Sequence, residues 1–386
     1  PYTMIVHGCF LLVWWATALA DQRYVLCPDE KLPTAMLGKA PVRAFAASIA
    51  SSEQAPGRVA SPPYLRAALL VESGEWDLII PSEKGRTRKG MEQLGHSTRM
   101  SYRKCANEGL HKNTEVSCRL RRSDGTDSNA TWVLGRLRRF RNSEVVQDFA
   151  ECDVANRHAR RIHRKEAPGR VEVSMRLEQV ARTAEGERKV TESTVLNIPL
   201  CLVRRPMMRV SFCSPPLYRL AELRKEVPWV IDDWLQYHLE WLGAENAELY
   251  DIDGSFEDVL ANWTQASVHR SGSVTYHKKW PSKLSADLGR LSEDHPCCTE
   301  LHAYAHCMTT HRALSRWVIL IHSPDEYVVL PKHRERGILP RVVEHQEFDS
   351  LWGYVVGIMA MEAVSFARGG RFSDEGEEAA QQRGAV

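Results

Sequence analysis

Trp317-Val318-Ile319-Leu320-Ile321 is a run of five apolar residues between Ser315-Arg316 and Ser323-Pro324-Asp325-Glu326-Tyr327. A run this short and this uniformly apolar predicts a strand buried on both faces, as in a parallel sheet covered by helices. A helix over about Thr299 to Arg316 is expected just before it. Further upstream, Arg209-Val210-Ser211-Phe212-Cys213 reads as a strand and Ser214-Pro215-Pro216-Leu217 as a turn. Pro228 then opens a helix whose Ile231, Trp234, Leu235, His238, Trp241 and Leu242 share one face, with Gly243 as its stop. Ala247–Tyr250 is a short strand leading into Asp251-Ile252-Asp253-Gly254-Ser255. A second helix is expected from Phe256 with Ser255 as its cap, and Val274–His277 is another short strand. Strands alternating with helices predict an α/β domain over 205–371 built on a mostly parallel sheet with flanking helices. The acidic and Ala-Gln-rich residues 372–386 are expected to be a disordered tail.

The preceding chain has another pattern. Residues 67–204 hold short runs with β character (Leu69–Val71, Trp76–Ile80, Val116–Leu120, Thr131–Leu137, Val171–Leu177, Val195–Val203), which predict a β-rich accessory domain. It is arginine-rich, and Arg157-His158-Ala159-Arg160-Arg161-Ile162-His163-Arg164-Lys165 is a basic run expected on a solvated loop. Residues 21–66 combine Pro28, Pro33, Pro41, Pro56, Pro62 and Pro63 with Ala and Ser and lack a sustained period, so a stem with little core of its own is expected.

At 43% hydrophobic and 26% charged residues, the 386-residue composition excludes a disordered, collagenous or multi-span membrane chain. A net charge of +2 gives no electrostatic reason to expect nucleic acid as a partner. Met4 to Ala20 is almost wholly apolar and ends in Ala18-Leu19-Ala20 before Asp21, so residues 1–20 read as a signal peptide or a membrane anchor. Either places the remainder in an oxidising lumen or outside the cell. The sequons Asn129-Ala130-Thr131 and Asn262-Trp263-Thr264 agree with that placement, and the nine cysteines beyond Cys9 lack a zinc-type spacing and read as structural, with disulfides expected and at least one thiol left unpaired or intermolecular.

In parallel sheets ligands bind beyond the carboxyl ends of the strands. Two acidic clusters are expected there: Asp251-Ile252-Asp253 and Ser323-Pro324-Asp325-Glu326-Tyr327. Carboxylates on a strand-end loop suit a hard divalent cation that also holds a diphosphate. An Asp-x-Asp triplet equally suits a solvated turn with a helix cap. His238 and His306, on apolar helix faces, read as structural histidines.

Several of these segments carry a resemblance in order: Cys213-Ser214-Pro215-Pro216-Leu217-Tyr218; Val230-Ile231-Asp232-Asp233-Trp234-Leu235-Gln236-Tyr237-His238; Leu242-Gly243 leading to Leu249-Tyr250-Asp251; Ala303-Tyr304-Ala305-His306-Cys307; and Trp317 through Pro331. Together they resemble glycosyltransferase family 92, whose fold is of the GT-A type. The resemblance implies transfer of a sugar, most often galactose, from a UDP-sugar donor to a glycan acceptor in the Golgi, with inversion and usually with manganese (Mn2+). It implies Tyr250, Asp251 and Asp253 near the donor, Asp325 and Glu326 as catalytic residues, and Asp325 with Ser323 at the metal. Ser323 stands where the family has its first Asp and would offer only a neutral oxygen, so a catalytically inactive carbohydrate-binding relative is the alternative. The base that an inverting transfer needs at the acceptor hydroxyl could be Glu344, Glu347 or Asp349. Cys213 and Cys307, which flank the family-like segment, are the cysteines expected in disulfides.

Overall fold

A computed structural model of the chain describes residues 23–28, 30–50, 64–72, 109–122, 131–141, 146–154, 169–264, 272–321, 324, 327–328 and 335–341. They form two compact units. The first combines residues up to 205 with 284–314, and the second combines 206–283 with the chain from 315 onward.

The first unit is an antiparallel sheet curled into a nearly closed barrel. Its strands are β1 (Tyr24–Leu26), β2 (Thr34–Leu37), β3 (Ala40–Ala50), β4 (Tyr64–Val71), β5 (Thr114–Arg122), β6 (Val133–Leu134), β7 (Arg136–Arg141), β8 (Val146–Asp153), β9 (Arg170–Arg182) and β10 (Arg188–Leu202). They follow the order β6-β5-β9-β10-β1-β3-β4-β8-β7, with β2 paired to β3. The two ends of that order are one stretch of chain split at Gly135. Val133 and Leu134 pair with Cys118 and Ser117 of β5, while Arg136 pairs with Glu151 of β8. A Cβ on Gly135 would lie 2.5 Å from Cys152 Sγ and 2.7 Å from the Glu151 carbonyl oxygen, so only glycine fits this seam. The Cys118–Cys152 disulfide ties β5 to β8 across the same seam, and Cys27–Cys201 ties the end of β1 to β10.

Leu65, Ala67 and Leu69 of β4, Val173, Met175 and Leu177 of β9, and Leu196, Ile198 and Leu200 of β10 fill the interior at alternate positions. The outer face of β3, β4 and β8 is covered as well. The helix Glu300–His311 lays His302 edge-on against Phe45 at 5.9 Å, with His302 Nδ1 2.7 Å from Gln147 Oε1. Just beyond it, Arg312 donates to the carbonyls of Tyr64 (2.9 Å) and Ala50 (2.6 Å).

The second unit holds β11 (Met208–Leu217), β12 (Asn246–Asp251), β13 (Ser273–His277) and β14 (Ser315–Leu320), all parallel, in the order β13-β12-β11-β14. The helices Leu220–Glu226, Val230–Leu235 and Glu257–Thr264 and a π-helical turn, Gln236–Trp241, pack Leu220, Ile231, Trp234, Leu235, Leu260 and Trp263 against Phe212, Ala247 and Leu249.

The expectation of a mostly parallel, GT-A-like α/β chain is overturned. The described chain is mostly antiparallel, 47% strand against 26% helix, and the barrel dominates it. Residues 21–66 are not a stem, because β1 to β3 and the start of β4 are barrel strands with Phe45, Val42 and Ile49 buried. The barrel therefore begins well before residue 67, and residues 284–314, expected in the α/β domain, belong to it. The helix expected to reach Arg316 ends at His311, and β14 starts at Ser315. β14 is an edge strand among the described residues, its Trp317 and Ile319 only half-buried.

The turn expected at Ser214–Leu217 is a continuation of β11 past a bulge. The register shifts between Cys213 and Pro216, and Ser214 Oγ accepts the Tyr250 N–H at 3.2 Å. The hydroxyl thus stands in for an acceptor that the interrupted ladder cannot supply. Residues 1–20, Trp76–Ile80, the 157–165 basic run, Asn129 and the 372–386 tail lie outside the described residues.

Candidate functional site

All four parallel strands of the second unit end on one edge of their sheet. Leu217 of β11 pairs with Asp251 of β12, and Cys213 of β11 with Leu320 of β14. Strand order reverses on the two sides of β11, the arrangement that opens a ligand crevice outside the carboxyl ends of an α/β sheet. Tyr250, Asp251 and Asp253 stand on this edge, and the loop that follows β14 leaves from it. Ser323, Asp325 and Glu326, which follow β14 in the sequence, lie outside the described residues, as do Glu344, Glu347 and Asp349.

Tyr250 and Asp251 are neighbours in sequence, but the pleat sends their side chains to opposite faces. Asp251 is fully buried. Its Oδ1 accepts the Gly254 N–H at 2.9 Å, and its Oδ2 accepts the Phe256 N–H at 3.0 Å and the Tyr276 hydroxyl at 2.5 Å. Two of these donors are backbone groups leading into the helix Glu257–Thr264, so the carboxylate closes the turn in the manner of a cap. Burial pushes its pKa up, with the hydrogen bonds opposing. It also holds Tyr276 in its protonated, donating form, since burial and the facing carboxylate both raise the phenol's pKa.

Asp253 is half-exposed and accepts the Ser255 N–H at 3.0 Å and the Arg219 N–H at 2.8 Å. Burial alone would raise its pKa. The hydrogen bonds from Ser255 and Arg219 outweigh that and hold it below the ordinary carboxylate value. Arg219 has a left-handed backbone (φ 53°), a strained conformation for a non-glycine residue, and Asp253 takes its N–H.

On the Tyr250 face lies a group that the sequence alone does not single out. Glu248, buried on β12, meets His277 Nε2 of β13 at 2.6 Å. The His277 ring stacks on Tyr250 at 4.9 Å and 7°, and Trp280 closes edge-on at 4.9 Å from Tyr250. Burial and the nearby Glu248 charge keep the Tyr250 phenol well above its ordinary pKa. The signal for this cluster is the alternation of Glu248 and Tyr250 along β12 with His277 at the end of the next strand, a pattern visible only once β12 and β13 are known to pair in register.

The loop after β14 is held where it re-enters the described residues. Tyr237 OH donates to the Val328 carbonyl at 2.9 Å, and His238 Nε2 accepts the Val328 N–H at 3.4 Å while its Nδ1–H donates to the Trp234 carbonyl at 2.9 Å. Both partners are consecutive residues of the π-helical turn and take the two backbone groups of one residue, Val328. Burial lowers the His238 pKa to about 4, so the ring is neutral, and burial raises Tyr237 to about 12, so the phenol keeps its proton.

Asp251 and Asp253 do not by themselves make a manganese shell. Both oxygens of Asp251 are committed and shut from solvent, and each oxygen of Asp253 already accepts a backbone N–H. Cys213 and Cys307 are disulfide-bonded, as is Cys298. With the two barrel disulfides, this pairing fits a secreted or lumenal protein. No helix among the described residues is long and apolar enough to cross a membrane. No protein-family model matches the chain, and no curated protein matches it either.

Proposed function

We propose that the chain is a glycosyltransferase of the secretory pathway, active in the Golgi lumen or after secretion, that moves a sugar from a UDP-sugar to a glycan acceptor with inversion. Galactose is the sugar to test first. The observation that supports this reading is the common carboxyl-terminal edge of β11, β12 and β14, where the half-exposed Asp253 stands and where β14 ends five residues before Asp325 in the sequence. A crevice on such an edge is where a nucleotide is received in an open parallel sheet. Asp253 suits the ribose or a hydroxyl of the sugar, because a carboxylate kept ionised is a strong acceptor. Asp325 and Glu326 are the groups proposed at the diphosphate and the transferred sugar, with manganese, if used, drawn from Ser323 and Asp325.

One observation favours the second reading, a carbohydrate-binding protein without turnover. Asp251, which the family resemblance places at the donor, is spent on a turn and a helix cap. Calorimetry of the purified chain with UDP, with and without manganese, separates the two. Binding of UDP together with release of UDP from UDP-galactose in the presence of a glycan acceptor is the expected result. Glycan binding with no affinity for UDP would replace the first reading by the second. An Asp325→Ala variant that retains full transfer would remove Asp325 from the site.

A further inference from the structure

Asn262-Trp263-Thr264 has the spacing of an N-glycosylation acceptor, and the proposed transfer reaction makes no use of it. These residues end the helix Glu257–Thr264 of the second unit. Val259, Leu260 and Trp263 form the buried face of that helix, and the Trp263 indole N–H donates to Asp232 Oδ1 at 2.9 Å. Asn262 and Thr264 are exposed, as are Glu257 and Asp258 at the other end. The middle residue of the triplet therefore anchors the helix, while the two that define the acceptor stand in solvent.

An attached oligosaccharide is large and polar, so a fold accommodates it only where its asparagine reaches water. Asn262 meets that condition without displacing a buried side chain. Its position also keeps a glycan away from the edge that carries Asp253. β12 ends at Asp251 on the carboxyl-terminal edge, and β13 starts opposite Asn246, at the amino-terminal end of β12. The helix lies on the connection between these two parallel strands and leads away from Asp253, with Asn262 roughly 8 Å along its axis from Glu257.

We propose that Asn262 carries an N-linked oligosaccharide, added as the chain enters the secretory pathway. The donor is an oligosaccharide on a lipid diphosphate. The side-chain amide nitrogen of Asn262 bonds to the anomeric carbon of the sugar, and the bond from that carbon to the diphosphate oxygen breaks. The lipid diphosphate leaves with the electron pair, and the amide gives up one proton. Addition precedes folding. Residues two apart do not share a helix face, the Thr264 hydroxyl donates to the Ala261 carbonyl at 3.2 Å, and Trp263 between them is buried. The triplet can be read as a unit only while the chain is open. The Cys27–Cys201 and Cys118–Cys152 disulfides fit passage through the same oxidising compartment.

The test is peptide mass spectrometry of the full chain made in a eukaryotic secretory cell. Enzymatic release of the glycan in heavy-oxygen water turns an occupied asparagine into an aspartate that bears the heavy atom. Asn262 is expected to acquire this label, to keep it in Thr264→Ser, which retains a hydroxyl, and to lose it in Thr264→Ala, which retains the asparagine. Asn262→Gln should migrate faster on a gel by the mass of one glycan whatever the state of Asn129, and glycan release should abolish the difference. Because addition precedes folding, the label is read from the total cellular chain, and a variant that misfolds is still decisive. An unlabelled Asn262 in the parent chain, label that persists in Thr264→Ala, or unchanged migration of Asn262→Gln would each overturn the proposal.

Discussion

The two units solve the same problem, how to bury a sheet, with opposite sequence patterns. The parallel sheet is written in strands such as Ala247–Tyr250 and Trp317–Leu320, almost uniformly apolar, with helices supplying the polar surface. The barrel is written in alternation where one face meets water, as in β9, where Val171, Val173 and Met175 point inward and Glu172 and Arg176 do not. Parallel strands need crossover helices and gather their ends on one edge, which makes a site there. Antiparallel strands return on themselves and can close, and this barrel adds covalent bonds to the closure. The candidate chemistry and the cross-linked scaffold are accordingly in different units.

The sharpest way to break that contrast is to remove the barrel's cross-links. Loss of Cys27–Cys201, which spans 174 residues, should cost about 5 kcal/mol, and loss of Cys118–Cys152, which spans 34, about 4 kcal/mol, by the chain-entropy relation. The Cys→Ser pairs should lower the urea midpoint of the barrel unit and leave hydrogen exchange in β11 and β12 unchanged. Equal loss of protection in both units would mean that they unfold as one.

Acid should act on both units through one buried histidine each. His302 in the barrel and His238 beside the parallel sheet have folded pKa values of about 4 against an ordinary 6.5, burial being the main cause. Stability from each ring is therefore complete above pH 6.5 and lost as the pH falls toward 4, by up to about 3 kcal/mol per ring. Protonation puts a second N–H on His302 Nε2, which is buried and has no hydrogen-bond partner, and on His238 Nε2 it opposes the Val328 N–H. Asp251 runs the other way. Its folded pKa is raised, so its contribution is present below its ordinary 3.8 and is lost as the pH rises through the folded value, which cannot produce the acid loss. Thermal melts from pH 7 to pH 4 on His302→Phe and His238→Phe should each flatten the slope for one unit only. An unchanged slope in both would refute the assignment.

A smaller effect is expected at Asp251→Asn. The amide turns a donor toward groups that themselves donate, costing about 2 kcal/mol, and the loss should appear in the melt of the second unit. If Asp251 instead serves the donor nucleotide, UDP affinity would fall with little change in the melting temperature.

The same contrast governs what the sequence could tell. β11, β12 and β14 were legible as strands because short apolar runs bounded by turn residues mark them, although β14 is a half-buried edge strand among the described residues and not the buried one its run predicts. β3 was not legible. Phe45 and Ser48 on its outer face lie under the helix Glu300–His311, while Val42, Ala44 and Ala47 face the interior, so neither alternation nor a bulky apolar run marks it. Its alanines and Pro41 look like a linker until the covering helix is known, and that helix comes some 250 residues later in the chain. At the candidate site, the edge position of Asp251 and Asp253 could be read from the strand-to-helix order. The cap role of Asp251 was one of the two readings that the triplet offered, but its burial and its third bond, from the Tyr276 hydroxyl of β13, could not be read. The Glu248–His277 pair was hidden for the same reason, being a cross-strand contact.

The smallest predicted effect bears most directly on the site. Tyr237 and His238 hold the two backbone groups of Val328, its carbonyl and its N–H, three residues after Asp325 in the sequence. Tyr237→Phe keeps the ring and its edge contact with Tyr327 but removes the donor, leaving the Val328 carbonyl without it. The cost to stability should be about 1 kcal/mol, since His238 still binds the N–H. A loop that only packs would register nothing more than that. A loop that positions donor-binding groups would loosen in the variant, and the KM for the UDP-sugar should rise severalfold with kcat nearly unchanged, because the lost interaction serves binding equally in ground and transition states. A fall in melting temperature with both kinetic constants unaltered would separate this clamp from the site and return Tyr237 to the core.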